Sequence, residues 1–231
     1  MTTLADLLGG GPVTRRVYFS FHYDNDKLRA DLIKGAWDLP GEREGNLRIH
    51  DGSLEELAKK KSELAIKRAI NGGMVGTSVC CVLVGDETWN RRWCRYEAFD
   101  ALYNGKGLLA VHVKSLPSVP VPLGLLSAPL ANPFSNLATL LGSAIGPNPF
   151  DHWGHVRPTG HQKLYPAYLI GQHWVRCALS DSVALSPMYW STYIENSVYP
   201  LNNWYPIYDW ANSGKAHLPS WVHTAAAQAR R

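Results

Sequence analysis

The sequence predicts an α/β fold in which helices cover both faces of a central parallel sheet. Residues 77–84 form a near-continuous run of β-branched and small apolar residues, and Leu108–Val113 form a second such run. Strands buried on both faces show continuous hydrophobicity, so both runs are typical of parallel strands. The two runs also alternate with helical patterns along the chain, which implies right-handed crossovers between the strands.

The first elements of the chain follow the same pattern. Arg16–Tyr23 alternates large apolar residues with smaller or polar ones, which predicts a strand. Apolar residues at helical spacing over residues 26–38 predict a helix that Pro40-Gly41 ends. Leu47–His50 is interpreted as a short strand or extended segment.

Two further helices flank the first apolar run. Ser53 precedes two glutamates, and a hydroxyl N-cap with carboxylates in the first turn is a typical helix start. The apolar face of this helix is predicted to include Leu64 and Ile70, and Asn71-Gly72-Gly73 to end it. Residues 91–103 predict the other helix, which Asn104-Gly105 ends.

The second half of the chain is less regular. Residues 116–160 are rich in proline and predict loops with one short helix near residues 135–143, and residues 161–205 are aromatic-rich and ambiguous. A long irregular stretch is unusual in a compact domain, so part of it is expected to form an insert with short elements of its own. Trp204–Trp210 predicts a strand and turn, and Pro219–Arg230 a last helix with proline in its first turn.

These boundaries predict a simple domain organisation. We expect residues 1–14 to be a flexible leader and residues 15–231 to form a single domain. Within that domain, residues 115–204 form a long, irregular, aromatic-rich C-terminal insert.

Composition and charge exclude several classes of protein. Hydrophobic residues make up 45% of the chain and charged residues 18%, which indicates a globular protein. The formal charge of +4 is a mild surplus, and Lys59–Lys61 lie on a helix that also carries glutamates. We therefore expect no nucleic-acid partner. No segment approaches the roughly 20 apolar residues that span a bilayer, so we expect no membrane partner.

Cysteine and histidine spacing indicates neither disulfides nor a metal site. There is no CxxC pair, and no Cys/His spacing suits zinc. The histidines of the second half match no tight chelate, so we expect no metal. A reducing, cytoplasmic location fits best. The residues concerned are Cys80, Cys81, Cys94, Cys177, His152, His155, His161 and His173.

Ligands of parallel sheets bind outside the carboxyl ends of the strands. Residues 21–24, residues 51–53 and residues 85–97 are all predicted to lie there. In the last segment Trp93 and Glu97 are four residues apart, so they share one face of a helix. An aromatic ring and a carboxylate in that position suit a planar ring and a ribose.

The ordered motifs resemble the TIR-like family of bacterial antiphage defence, of the Thoeris type. The resemblance covers residues 15 to 225, which favours one elaborated domain over two, although residues 151–204 match poorly. The matching motifs are Val17–Asp24, Gly76–Gly85, Trp93-Cys-x-Tyr-Glu97, Lys106–His112, Asn148–Phe150, Tyr205–Trp210 and Trp221.

The resemblance implies a flavodoxin-like, three-layer TIR fold and an enzyme that cleaves the nicotinamide–ribose bond of NAD. In TIR enzymes a glutamate in the Trp-Cys-x-x-Glu helix is catalytic, and Glu97 is the residue that matches. NAD would be the substrate, with no other cofactor. The product would be a linear, cyclic or conjugated ADP-ribose signal, sensed by a separate effector protein. Homo-oligomer formation on activation is also implied.

The chemistry is consistent with a single carboxylate. Cleavage builds oxocarbenium character on the ribose, which a carboxylate stabilises while it accepts hydrogen bonds from ribose hydroxyls. The leaving group is already a cationic pyridinium, so no general acid is needed. Water as the nucleophile would give ADP-ribose, and an internal nucleophile would give a cyclic isomer.

Each candidate residue also has a structural interpretation. Glu97 could instead pair with Arg92 or Arg95 at the surface, Trp93 could pack in the core, and Cys94 fits a buried thiol better than a nucleophile. Among the predicted contacts His22 could be structural, and Asp24, Asp51 or Ser53 could be helix caps. The predicted substrate-binding residues are Ser20, Phe21, His22, Tyr23, Asp24, Asp51, Ser53 and Trp93.

Two other functions compete with the enzyme. A non-catalytic TIR scaffold would act by self-association and partner recruitment through exposed aromatic residues such as those of 189–205. It would tolerate loss of Glu97. A nucleoside or nucleotide transferase of related sheet topology is the weaker alternative.

Overall fold

A computed structural model describes residues 15–37, 62–118, 147–160, 164–177 and 194–229. The predicted leader, the segment Leu47–His50 and the short helix near residues 135–143 lie outside these ranges. The strands described are β1 (Val17–Ser20), β2 (Val79–Val84), β3 (Gly107–His112), β4 (Trp153–Val156), β5 (Tyr165–Ile170), β6 (His173–Arg176), β7 (Val198–Pro200) and β8 (Ile207–Asp209). The α-helices described are α1 (Tyr23–Trp37), α2 (Glu63–Met74), α3 (Arg92–Tyr103), α4 (Pro149–His152) and α5 (Gly214–Gln228).

The predicted parallel sheet is confirmed. It contains four described strands in the order β1-β2-β3-β8, and all three pairings are parallel. Every residue of β2 and β3 is buried, as the continuous apolar runs predict.

Helices cover both faces of this sheet, which gives the predicted three layers. Residues of α2 and α3 pack against one face, and residues of α1 and α5 pack against the other. Side chains alternate along each strand, so the adjacent residues Cys80 and Cys81 belong to opposite cores. All four cysteines are buried thiols.

The aromatic-rich part of the second half contains an antiparallel sheet that the sequence does not predict. Its described strands have the order β6-β5-β4-β7. Phe150, Trp153 and Leu201 join the same core as Tyr18 of β1, so this sheet packs on the α3 side of the parallel sheet. The Trp153 indole Nε1 donates to the Trp89 carbonyl at 2.8 Å, which ties β4 to the loop after β2.

Helix α2 differs from its predicted form. It begins at Glu63 after Ser62, whose Oγ accepts a hydrogen bond from the Ala65 amide at 3.4 Å. The predicted start at Ser53 lies outside the described residues. The helix continues through Gly72 and Gly73 because Met74 is buried in the core, and Leu64 is 56% exposed rather than part of the apolar face.

Helix α3 ends where predicted. Gly105 adopts φ +65°, and the amide of Lys106 donates to the Ala101 carbonyl at 2.9 Å. This is a Schellman motif, in which glycine takes the left-handed position without steric cost.

Helix α5 begins earlier than predicted. It starts at Gly214, so Pro219 lies inside the helix rather than at its start. Gly214 packs directly on the Trp210 indole, where a Cβ would overlap the ring, and this contact brings the helix start close to β8. Among the helices of the described ranges, none is long and apolar enough to cross a membrane.

Candidate functional site

Glu97 lies at the interface between α3 and the parallel sheet, and it is only 5% exposed. Its Oε1 accepts a hydrogen bond from the Tyr18 hydroxyl at 2.6 Å, and its Oε2 accepts one from Ser20 Oγ at 2.5 Å. Tyr18 and Ser20 are two residues apart on β1, so both side chains face α3. The two hydroxyls therefore fix the plane and position of the carboxylate.

The surroundings of Glu97 favour its protonated form. Burial raises the pKa of Glu97 to about 7, against the lowering effect of the Ser20 and Tyr18 hydrogen bonds. The Asp100 carboxyl, one helical turn further on, adds to the rise of this pKa. Burial and the nearby Glu97 charge raise the pKa of Tyr18, so the phenol stays a donor. A carboxyl group with a pKa near neutrality exchanges protons readily at physiological pH.

The structure corrects the alternative in which Glu97 pairs with arginine at the surface. Arg92 instead bonds Glu63 at 3.0 Å, and the Arg95 guanidinium lies 3.9 Å from the centre of the Tyr168 ring. The groups bonded to Glu97 are hydroxyls of β1.

The residues after β1 lie in different environments. Phe21 packs in the core on the opposite face of the sheet from Glu97. His22 is 3% exposed, with Nδ1 3.9 Å from a Glu87 carboxylate oxygen and Nε2 4.0 Å from one of Asp24. Tyr23 is half-buried and Asp24 is exposed. Because α1 begins at Tyr23, Asp24 lies in the first helical turn and is not the N-cap.

Trp93 is half-buried and packs against the core beneath α3. Its ring meets Tyr96 edge-on, with the ring centres 5.9 Å apart, and the Arg92 guanidinium lies 5.2 Å from the ring centre. Cys94 is buried, as its structural interpretation requires. Asp51 and Ser53 lie outside the described residues.

A buried ion pair supports the loops at the ends of β2 and β3. Asp26 is fully buried and bonds Arg29 at 2.6 Å, and Arg29 Nε donates to the Leu116 carbonyl at 3.0 Å. Gly85 lies against the Asp26 carboxylate, where a Cβ would overlap it. Burial raises the pKa of Asp26 although Arg29 opposes the rise. The pair therefore joins α1 to the loops that follow β2 and β3.

Sequence reasoning missed two groups that act on Glu97. Tyr18 lies in the predicted first strand, and the two-residue period of a strand places it on the same face as Ser20. Asp100 lies three residues after Glu97 on the same helix, and this spacing places the two on neighbouring positions. The positions of Tyr18 and Asp100 near Glu97 therefore follow from strand and helix periodicity, once Glu97 is taken as the catalytic candidate. Within the described ranges there is no cluster of three or more His, Cys, Asp or Glu residues that could hold a metal ion.

Comparisons with known proteins show which proteins the chain resembles. Residues 18–118 match the family model described as the Thoeris protein ThsB, TIR-like domain. The putative cyclic ADP-D-ribose synthase ThsB1 of Bacillus cereus (strain MSX-D12) is 31% identical over 217 residues. The match covers 91% of this chain and 100% of that protein. Tyr18, Ser20 and Glu97 all fall within the residues that match the family model.

Proposed function

This chain belongs to the Thoeris ThsB family of TIR-like proteins, and we propose from that premise that it cleaves the nicotinamide–ribose bond of NAD. The product is an ADP-ribose-derived signal for antiviral defence. The name of its B. cereus relative, a putative cyclic ADP-D-ribose synthase, supports a cyclic product. NAD is the substrate, and no other cofactor takes part.

The observation that carries this proposal is the fixed, buried carboxylate of Glu97. Departure of nicotinamide leaves positive charge on the ribose, and a carboxylate in a low-dielectric site stabilises that charge strongly. A carboxylate has about four lone-pair positions. Glu97 can therefore accept hydrogen bonds from ribose hydroxyls in addition to those from Tyr18 and Ser20. Those two bonds keep the group in place before substrate arrives, so little reorganisation is needed.

Substrate charge and Glu97 ionisation reinforce each other. The pKa of about 7 leaves Glu97 partly protonated near neutral pH. A bound nicotinamide ring is cationic, and an adjacent positive charge favours the ionised carboxylate. NAD binding therefore generates the charged form of Glu97 that cleavage requires.

The remaining predicted contacts are part of the same proposal. Trp93 lies one helical turn before Glu97 and braces the planar ring of the substrate. Ser20 orients Glu97, whereas His22, Tyr23 and Asp24 contact the substrate from the end of β1. For Asp51, Ser53 and Phe21 the predicted contact rests on the sequence, and Phe21 requires a ligand that reaches the other face of the sheet.

The test is the fate of NAD with purified protein. Nicotinamide release and adenine-containing products are followed by mass spectrometry over a range of protein concentrations. We expect Glu97→Gln to lower the rate at least about 100-fold, the scale on which electrostatic stabilisation of a transition state is lost. Glu63→Gln is the matched control, because Glu63 is exposed and pairs with Lys67 and Arg92; its rate should stay within about twofold.

Two results would contradict the proposal. Equal rates in wild type and Glu97→Gln would remove Glu97 from catalysis. A wild-type protein that never consumes NAD, at any concentration and with lysate from phage-infected cells added, would favour the non-catalytic scaffold.

We also propose that the product acts on a separate effector protein and that activation involves homo-oligomer formation. A small diffusible nucleotide transmits a signal only when a receptor binds it. Self-association would appear as a specific activity that rises with protein concentration, with a matching change in mass by light scattering. A cytoplasmic location is part of the proposal, and cell fractionation tests it.

A further inference from the structure

His112 ends β3 at the carboxyl edge of the parallel sheet. Leu108 and Ala110 of the same strand belong to the core beneath α3. Because side chains alternate along a strand, His112 faces that side too, as Tyr18 and Ser20 do on β1. The strand register places His112 between Val84 of β2 and Asp209 of β8.

The His112 side chain is buried, and one of its ring nitrogens lacks a hydrogen-bond partner among the described residues. The residue is 8% exposed, and within the part of the chain that the structure describes its Nδ1 has no hydrogen-bond partner. A buried polar atom without a partner costs free energy, and a bound polar group at the open edge of the sheet would remove that cost.

The charges around His112 define what it can bind. Burial lowers the pKa of His112, and Lys114 lowers it further, whereas the Asp209 and Asp151 carboxylates oppose the shift. The imidazole is therefore neutral at neutral pH, with one ring nitrogen that donates and one that accepts. The Asp209 carboxylate is held by a hydrogen bond from the Ala211 amide at 2.9 Å.

This environment suits sugar hydroxyls better than phosphate. Two carboxylates near a neutral imidazole repel an anionic phosphate, and the nearby Lys114 ammonium is paired with Asp86 at 2.7 Å. Hydroxyl groups both donate and accept, so they can donate to a carboxylate and pair with either form of imidazole nitrogen. Carboxylates at the carboxyl edge of parallel sheets bind ribose hydroxyls in dinucleotide-binding proteins.

We propose that His112 and Asp209 form a second ribose-binding subsite, which holds the adenosine ribose of NAD while Glu97 acts on the nicotinamide ribose. The inference rests on the proposed function. Strands β1 and β3 are two strand spacings apart, roughly 10 Å. That separation is comparable to the distance between the two riboses across the diphosphate of an extended dinucleotide.

The experiment compares His112→Leu, His112→Asn and His112→Gln with wild type. Asparagine places an amide near the position of Nδ1, and glutamine places one near Nε2. We expect His112→Leu to raise KM for NAD about five- to tenfold, because one hydrogen bond to the substrate is lost. The value of kcat should change less than about twofold. His112→Asn should recover most of the affinity and His112→Gln should not, because the unpartnered atom is Nδ1.

Partial substrates identify which ribose is bound. ADP-ribose contains the adenosine ribose, and nicotinamide mononucleotide lacks it. Both compounds are tested as inhibitors of NAD cleavage. In His112→Leu the inhibition constant of ADP-ribose should rise by the same factor as KM for NAD, and that of nicotinamide mononucleotide should not change. An equal loss for both compounds would place His112 at the nicotinamide ribose and overturn the inference, and so would an unchanged KM.

Two controls separate binding from folding and from the activity itself. His155 is a buried histidine that packs against Phe99, and its burial lowers its pKa to about 4. His155→Leu should lower Tm without raising KM; a loss of NAD affinity equal to that of His112→Leu would contradict the subsite. Calorimetric binding of ADP-ribose to wild type and His112→Leu tests the subsite even if NAD cleavage is never observed, and equal affinities there would refute it.

Discussion

The two sheets of this protein are buried to different extents. Every residue of β2 and β3 is buried between two helical layers. The antiparallel sheet packs one side against the α3 face, and its strand β6 leaves His173, Val175 and Arg176 exposed. Polar groups inside the parallel sheet therefore have a cost that those of the antiparallel sheet largely avoid. Ser20 and His112 of the sheet bear this cost, as does Glu97, which packs on the same side of the sheet from α3.

The largest expected contrast is between a glycine inside the parallel sheet and one in an exposed turn of the antiparallel sheet. A Cβ at Gly107, at the start of β3, would overlap the backbone of α5 at Ala225 and Ala226. We expect Gly107→Ala to lower the free energy of unfolding by about 3 kcal/mol, because neither the strand nor the helix can move away. Gly171, in the turn between β5 and β6, has φ +59° and no atom within 4 Å of a Cβ. Gly171→Ala should cost about 1 kcal/mol, from left-handed backbone strain alone.

Urea unfolding of both glycine variants provides the measurement. Equal losses in the two variants would contradict the larger cost expected from the overlap at Gly107.

The second prediction concerns the dependence of stability on pH. The pKa of Glu97 rises from 4.5 to about 7 on folding, so the folded state holds this proton more tightly than the unfolded state. The contribution of Glu97 to the free energy of unfolding is therefore most favourable below about pH 4.5. It falls as pH rises to about 7, by roughly 3 kcal/mol in total. Glu97→Gln should remove this dependence and be more stable than wild type at pH 8.

Denaturant unfolding of wild type and Glu97→Gln at pH 5 and pH 8 measures this effect. Burial also raises the pKa of Asp26 and Asp100, and the difference between the two proteins cancels their contributions. A difference independent of pH would contradict the raised pKa of Glu97.

The third prediction concerns the hydroxyls that bond Glu97. Tyr18→Phe and Ser20→Ala each remove a hydrogen bond that lowers the pKa of Glu97. We expect each change to raise that pKa by about one unit and to move the acidic limb of the kcat/KM profile for NAD to higher pH. Activity at pH 7 should fall up to about tenfold and recover above pH 8. Tyr96→Phe is the control, because the Tyr96 hydroxyl is 3.4 Å from the Asn71 side chain; its profile should match wild type.

The smallest effect is expected at the exposed part of the antiparallel sheet. Trp204 is 41% exposed and stacks on Tyr199, with ring centres 5.7 Å apart. Trp204→Ala should cost about 1 kcal/mol of stability, since an aromatic pair contributes on this scale. KM for NAD should not change. A raised KM, measured in the same NAD assay, would connect this surface to the substrate site.

The parallel sheet was predictable because strands buried on both faces have continuous runs of apolar residues. The apolar runs of β2 and β3 contain residues that face both cores, so no knowledge of their neighbours is needed. Strands β4 to β7 carry aromatic, polar and proline residues on partly exposed faces, and their short lengths match no clear period. Which of their residues are buried depends on contacts with α3 and the loop after β2.

The site shows the same division. Spacing places Glu97 on a helix face after β2, and the family resemblance makes it the catalytic candidate. Neither indicates that its bonded groups are hydroxyls of β1, 77 and 79 residues earlier in the chain. Such contacts form only when the strand order is set, because hydrogen bonding and desolvation depend on distances between groups remote in sequence.

The sequence by itself determined the parallel strands, the end of α3 and the identity of the candidate carboxylate, since each depends on local residue order. Only the tertiary structure decided that Glu97 is buried with a pKa of about 7 and that His112 faces its side of the sheet. The physical reason is that burial raises or lowers a pKa through everything packed around the group, and packing is set by strand order and helix placement.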